Sequence, residues 1–120
     1  MASTPALSSL DYARKAVDVA EDRQATDIAL LDLRAIPTFA EFFVILTGET
    51  RRHLDGLAQE LDQVLTAAGA QLHHREGSPE TGWVLLDFGN LVIHLFGPEE
   101  RDFYQLDRLW AQAVTLLRIQ

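Results

Sequence analysis

Three residues suited to binding chemistry, Trp83, Asp87 and His94, lie in two otherwise apolar stretches of the 120-residue chain. Tryptophan is enriched at the energetic centres of protein interfaces, while histidine and carboxylate groups exchange protons or bind cations. Gly89-Asn90 separates the two stretches, and this pair is typical of a two-residue hairpin loop. We therefore predict that all three residues lie on a β-hairpin.

Side-chain alternation divides the predicted hairpin into two faces. One face is wholly apolar and is predicted to be core: Val84, Leu86, Phe88, Leu91, Ile93 and Leu95. The other face is mixed: Trp83, Leu85, Asp87, Val92, His94 and Phe96. Two interpretations of the mixed face are open. Either a helix covers it, with His94 and Asp87 satisfying each other and Trp83 in the core, or it is partly open and forms a protein-docking patch.

Other polar residues are poorly placed for catalysis or metal binding. His73 and His74 are adjacent on a predicted strand and so point to opposite faces, as do Asp27 and Asp32. The turn before Thr50 lacks the lysine of a phosphate-binding loop, which favours a plain turn with Thr50 as helix cap. No serine lies in a nucleophile-elbow context, and cysteine is absent. We predict no catalytic residue, no metal site and no cofactor.

The composition is that of one ordinary globular domain, with 48% hydrophobic and 23% charged residues. No apolar run is long enough for a membrane span, and the start of the chain lacks a secretory signal, so a cytoplasmic protein is expected. The net charge of −8 disfavours a phosphate-dominated nucleic-acid interface. It suits a basic protein partner or, alternatively, serves only solubility.

Hydrophobic periodicity predicts the elements that must position these residues. The predicted order is helix, strand, strand, helix, three strands and helix, in these places: a helix from Ser8 or Ser9, strands at 26–34 and 41–47, a helix from Thr50 to Gly69, a strand at 71–76, the hairpin, and a helix from Leu106 to Leu117. This order predicts an α/β fold with a mixed sheet of about five strands and flanking helices, the second helix crossing over between parallel strands. Residues 1–7 are expected to be a flexible N-terminus before a single domain at 8–120.

Arg101, Phe103 and Tyr104 form a second concentration of unusual residues just after the hairpin. Their position predicts that they border the mixed face. In the alternative interpretation, Phe103 and Tyr104 fix the angle at which the last helix begins, and Arg101 pairs with a neighbouring acid.

Taken together, these segments resemble the ribosomal silencing factor family, also called RsfS or Iojap-like. The resemblance extends from about Ala25 to Trp110 and rests on TDIALLDLR, FFVILTG with TRRHLDGLA, Glu76-Gly77, WVLLDFGNLVIHLF, and Arg101 with FYQLDRLW. It implies a nucleotidyltransferase-like fold without enzymatic activity. It also implies binding to the large ribosomal subunit through a basic protein of its intersubunit face, the large-subunit protein numbered fourteen, which blocks joining of the small subunit.

The resemblance implies partner-binding roles for six residues: Glu76, Trp83, Asp87, His94, Arg101 and Tyr104. The acidic members would complement a basic partner, and the two aromatic members would supply buried anchor area. Two departures from the family pattern lie elsewhere, at Glu41-Phe42 and at Glu49.

Two alternatives to the silencing function are compatible with the sequence. The resemblance allows a homodimer in the free state, which would use the mixed face for self-association. The other alternative is a nucleotidyltransferase-fold enzyme or nucleotide-binding protein, whose metal pair should require converging carboxylates. Asp87 has no such neighbour two residues on, because Gly89 occupies that position.

Overall fold

The computed structural model describes residues 7–38, 40–104 and 113–120, except for the side chains of residues 103 and 104. The helices are α1 (Ser9–Asp22), α2 (Arg51–Ala67) and α3 (Pro98–Tyr104). The strands are β1 (Thr26–Asp32), β2 (Phe42–Thr47), β3 (His74–Ser78), β4 (Trp83–Asp87), β5 (Leu91–Phe96) and β6 (Val114–Ile119), with a 3₁₀ turn at Pro79–Thr81. Within these ranges, no helix has the length and apolar character needed to cross a membrane.

The two long helices begin at side-chain caps, as the sequence predicts. The Ser8 hydroxyl accepts a hydrogen bond from the Asp11 amide, and the Asp11 carboxylate accepts one from the Ser8 amide. This capping box satisfies two amides that the first helical turn leaves unpaired. Thr50 caps α2 by accepting from the His53 amide at 3.0 Å. Gly69 follows the last turn of α2 with φ at 112°, a conformation that favours glycine.

All described strands belong to one mixed sheet with the order β3-β4-β5-β2-β1-β6. The central pair β2 and β5 is parallel, and every other neighbouring pair is antiparallel. The prediction of a mixed α/β sheet is confirmed, with six strands rather than about five. Helix α2 joins two parallel strands as predicted, but β3 lies at the edge of the sheet, separated from β2 by β4 and β5.

The hairpin of β4 and β5 has the predicted register. Trp83 pairs with Phe96, Leu85 with His94, and Asp87 with Val92. Gly89, at the turn, has φ at 89°, which a residue with a side chain rarely adopts. The register therefore confirms which hairpin residues share a face.

The sheet buries both of its faces, each in a separate cluster. The helix-covered face packs under α1 and α2, and its strand residues are Ile28, Leu30, Phe42, Val44, Leu46, Val84, Leu86, Leu91, Ile93 and Leu95. The opposite face has a smaller cluster: Ala29, Leu31, Leu33, Ala40, Phe43, Ile45, Val92 and Phe96, with partly buried Ile36, Trp83, Leu85 and Ala113. The helix-covered face is thus the larger part of the core.

The prediction of a helix from Leu106 to Leu117 is wrong where the structure describes that segment. Val114–Ile119 forms β6, which pairs antiparallel with β1, while residues 105–112 lie outside the described residues. The helix after the hairpin, α3, begins earlier, at Pro98. The β-branched residues of β6 suit a strand, and β6 supplies backbone partners along an edge of β1 that would otherwise be unpaired.

The bounds of the third strand differ from the prediction. It spans His74–Ser78, whereas 71–76 was predicted. The strand carries no apolar side chain, so apolar alternation could not indicate where it begins and ends. Of the N-terminus predicted to be flexible, only Leu7 falls within the described residues, and it is exposed.

Candidate functional site

The strand register brings four of the six predicted site residues onto the opposite face of the sheet. Glu76 pairs with Leu85, which pairs with His94, so these three side chains form one row. Trp83 and Asp87 lie on either side of Leu85 at two-residue spacing and therefore point to the same face. We call Glu76, Trp83, Leu85 and Asp87 the docking patch.

Exposure falls from the edge of the sheet toward its centre. Glu76, on the edge strand β3, is exposed, and the other residues of the docking patch are half-buried. His94, one strand further in, is only 5% exposed. A depression of about 240 Å³ opens at the boundary of β3 and β4, and it is lined by Glu76, Gly77, Thr81, Trp83 and Leu85. The mixed face is thus open at one side and closed at the other.

The buried His94 side chain fixes Trp83 through a hydrogen bond. The indole Nε1–H of Trp83 donates to Nδ1 of His94 at 3.3 Å. The imidazole also contacts Phe43, edge to face at 4.7 Å between ring centroids, and lies parallel to Phe96. Because Nδ1 accepts, the neutral ring carries its proton on Nε2, a buried atom without a hydrogen-bond partner in the described structure.

Burial sets the protonation state of His94. Desolvation lowers its pKa from 6.5 to about 4, because a charged imidazolium would lose its hydration without gaining an anionic partner. The imidazole is therefore neutral at neutral pH. A neutral ring can accept from the Trp83 indole, whereas an imidazolium, with both nitrogens protonated, cannot.

The alternative in which His94 and Asp87 satisfy each other is wrong. Asp87 lies opposite Val92 in the ladder, and its Oδ1 accepts a hydrogen bond from the Gly89 amide at 2.7 Å. This short-range bond stabilises the hairpin turn. Asp87 therefore stabilises the loop and also contributes a carboxylate to the docking patch.

Arg101 is buried, with 8% exposure, and links α3 to the sheet. One guanidinium nitrogen donates to the carbonyl oxygen of Asp27 at 2.6 Å and to Oγ1 of Thr47 at 3.1 Å. The other lies 3.5 Å from the Asp27 carboxylate, which is also 3.6 Å from Arg118 on β6. The acid that pairs with Arg101 is thus distant in sequence rather than neighbouring.

Tyr104 is the last residue of α3, and its side chain lies outside the described residues. Thr81 and Gly77 line the depression but were not predicted as site residues. The 3₁₀ turn brings Thr81 back over the strand, where its hydroxyl donates to the Ser78 carbonyl. The adjoining Gly-Ser-Pro sequence was the available signal for a turn at this point.

The histidine and aspartate residues outside the docking patch do not form a metal site in the described residues. No group of three or more histidine, aspartate or glutamate side chains there is arranged to hold an ion. Asp32 instead forms a two-hydrogen-bond pair with Arg34, and these bonds hold the pKa of Asp32 below its usual value. His74 pairs with Glu76 at 2.8 Å.

Comparisons with known proteins agree on one family. The family model described as "Ribosomal silencing factor during starvation" matches residues 6–120. The chain is similar to the ribosomal silencing factor RsfS of Halalkalibacterium halodurans, with 32% identity over 110 residues covering 92% of this chain and 94% of that protein. It is also similar to RsfS of Zymomonas mobilis, with 41% identity over 93 residues covering 78% and 70%. A Chromobacterium violaceum crystal structure matches at a TM-score of 0.83, with 28% identity and 88% of both chains covered.

Proposed function

The chain belongs to the ribosomal silencing factor (RsfS) family, and from this premise we propose that it binds the large ribosomal subunit and prevents the small subunit from joining. The proposed contact is a basic ribosomal protein of the intersubunit face, the large-subunit protein numbered fourteen. A mouse relative named "Mitochondrial assembly of ribosomal large subunit protein 1" supports a large-subunit partner. It is 31% identical over 97 residues, covering 78% of this chain and 42% of that protein.

The observation that carries the proposal is the composition of the docking patch. Trp83 and Leu85 are only partly buried and so leave some apolar surface accessible, and the carboxylates of Glu76 and Asp87 lie beside them on the same face. Interfaces of this kind derive their affinity from a few aromatic anchors in a desolvated centre, with polar groups at the rim. Two acids around an apolar centre suit a partner that presents basic side chains around its own apolar surface.

His94 and Arg101 act in this proposal as supports rather than contacts. His94 fixes the indole of Trp83 by accepting its N–H, and Arg101 holds α3 against the ends of β1 and β2. Tyr104, at the end of α3, is proposed as a second aromatic anchor. The hydrogen bond to His94 holds the Trp83 indole in a fixed arrangement, which lowers the entropy lost on binding.

The silencing mechanism proposed here is occlusion and needs no chemical step. An interface of standard size, about 1,600 Å² in total, is sufficient for stable binding. The net charge of −8 should speed encounter with a basic surface and make the association weaken as salt increases. Bound at the intersubunit face, the protein occupies space that the small subunit requires.

Sedimentation with purified ribosomal subunits tests the proposal. The protein is mixed with large subunits at several salt concentrations and sedimented, and small subunits are then added. We expect co-sedimentation that weakens with salt, and fewer joined ribosomes as the protein concentration rises. A folded protein that fails to sediment with large subunits at low salt, or binds them without reducing joining, would overturn the proposal.

A matched pair of leucine variants tests the location of the interface. Leu85→Ala truncates the docking patch, while Leu116→Ala truncates an exposed leucine of β6, at the other edge of the sheet. We expect the first to weaken large-subunit binding and the second to leave it unchanged. Equal effects would place the interface elsewhere.

A further inference from the structure

The depression on the docking patch combines groups that suit one particular side chain. The residues that line it include one with a carboxylate, one with an aromatic ring, one with an aliphatic side chain and one with a hydroxyl: Glu76, Trp83, Leu85 and Thr81. We propose that it binds an arginine side chain of the basic partner, with the guanidinium group between the Glu76 carboxylate and the Trp83 indole. This inference rests on the proposed function and specifies the chemistry of its central contact.

Trp83 is the aromatic residue of the depression, and its hydrogen-bond donor is already paired. Its N–H already donates to His94 on the buried side, and its ring lies 5.1 Å from that of Phe96 between centroids. An indole ring attracts cations more strongly than other aromatic rings do, and a guanidinium group is the usual partner because it can also stack.

Glu76 provides the charge that selects a cation. Its side chain is 65% exposed, and Oε1 accepts from the imidazole of His74 at 2.8 Å. A carboxylate has further lone pairs, so a guanidinium can bind beside His74 or displace it. The guanidinium fork matches carboxylate geometry at two positions at once, whereas the lysine ammonium is a compact, strongly hydrated point charge.

Leu85 and Gly77 complete the shape of the site. Leu85 lies directly opposite Glu76 in the ladder, where it can contact the methylene stem of an arginine. Gly77 has φ at 77°, and a Cβ atom there would lie 2.0 Å from the Trp83 carbonyl oxygen. This position, which lines the depression, therefore admits no side chain.

Amide and indole NMR spectra of the ¹⁵N-labelled full chain provide a direct test. The probe is N-acetyl-arginine amide, and N-acetyl-lysine amide serves as a control of equal charge. We expect saturable shifts of the Trp83 indole N–H and of the Gly77 and Thr81 amides, with arginine binding at least about fivefold more tightly than lysine. Equal binding of both probes, or arginine shifts confined to other residues, would overturn the proposal.

A pair of acid variants provides the matched control. Glu76→Gln keeps the shape of the lining but removes its charge, and should weaken arginine binding about tenfold. Glu80→Gln removes the same charge from the adjacent 3₁₀ turn, outside the lining, and should have little effect. If both variants weaken binding equally, the interaction is with net charge rather than with the site, and the proposal fails.

The same two variants separate this inference from the proposed function. If wild-type protein binds large subunits and Glu76→Gln binds about tenfold more weakly than Glu80→Gln, both are supported. If wild-type protein binds large subunits but neither variant differs from it, the arginine site is overturned while the function stands. If wild-type protein does not bind large subunits at all, the proposed function is overturned, and the large subunit cannot be the source of the arginine.

Discussion

The two faces of the sheet are built from the same strands but differ in what they bury. The helix-covered face packs aliphatic side chains beneath α1 and α2. The buried polar residues of the described chain all belong to the opposite side: Thr47 and His94 lie on that face, and Arg101 contacts Thr47. His94 holds the indole of Trp83 in place, and Arg101 holds α3 against the sheet. Because side chains alternate along a strand, the helix-covered face can serve stability while the opposite face serves recognition. In the described chain, the free-energy cost of burying polar groups is confined to the opposite face.

Alanine substitutions of two adjacent leucines on β4 test the difference between the faces, and one of them has the largest expected effect on stability. Leu86 is fully buried on the helix-covered face, while Leu85 is half-buried on the docking patch. Leu86→Ala should lower the free energy of unfolding by about 2–5 kcal/mol, since it leaves a cavity. Leu85→Ala should cost about 1 kcal/mol of stability but weaken large-subunit binding. Chemical denaturation measures the unfolding free energy of each variant, and co-sedimentation measures its binding to large subunits. If Leu85→Ala is the more destabilising variant, the proposed difference between the two faces is wrong.

The buried imidazole should make stability depend on pH. The pKa of His94 is about 4 in the folded protein and 6.5 when unperturbed, so the unfolded chain binds the extra proton first as pH falls. Its contribution is fully present above pH 6.5 and is lost as pH falls from there toward 4, by about 3 kcal/mol at most. Denaturation at pH 7 and pH 4 should show a larger loss for the wild type than for His94→Phe.

Two carboxylates also contribute to the loss of stability in acid, but their contributions cancel in this comparison. Hydrogen bonds lower the pKa values of Asp11 and Asp32, which therefore also lose stabilising interactions in acid. Both are present in the wild type and in His94→Phe, so only the difference between the two pH profiles reports on His94. Identical profiles would show that the imidazole is not buried as described.

Trp83→Ala is expected to weaken large-subunit binding by about 2 kcal/mol, as interface anchors typically do. The indole is half-buried, so circular dichroism must show that the variant is folded before its binding is compared. Tyr104→Ala, the other predicted aromatic anchor, is expected to weaken binding by more than about 1 kcal/mol. A folded double variant that still binds normally would refute the docking patch.

The sequence was sufficient where local chemistry decides the structure. Gly89-Asn90 specified the hairpin register, and hence which residues accompany Trp83. Local patterns could not reveal contacts between distant segments. The apolar spacing around Val114 suits a helix as well as a strand, and pairing with β1 determines the outcome. Likewise, the bond from Arg101 to Asp27 spans 74 positions, and no spacing rule predicts it.

Substitution of Asp87 is expected to have the smallest effect on stability. It also separates the role of Asp87 in the hairpin turn from its proposed role in large-subunit binding. Its Oδ1 accepts from the Gly89 amide, a bond that an asparagine amide oxygen can retain. Asp87→Asn should therefore change stability by less than about 0.5 kcal/mol, while Asp87→Ala should cost about 1 kcal/mol through the lost bond. If the carboxylate also serves recognition, both variants should weaken large-subunit binding at low salt and converge with the wild type at high salt. Binding of Asp87→Asn equal to wild type at low salt would confine Asp87 to the turn.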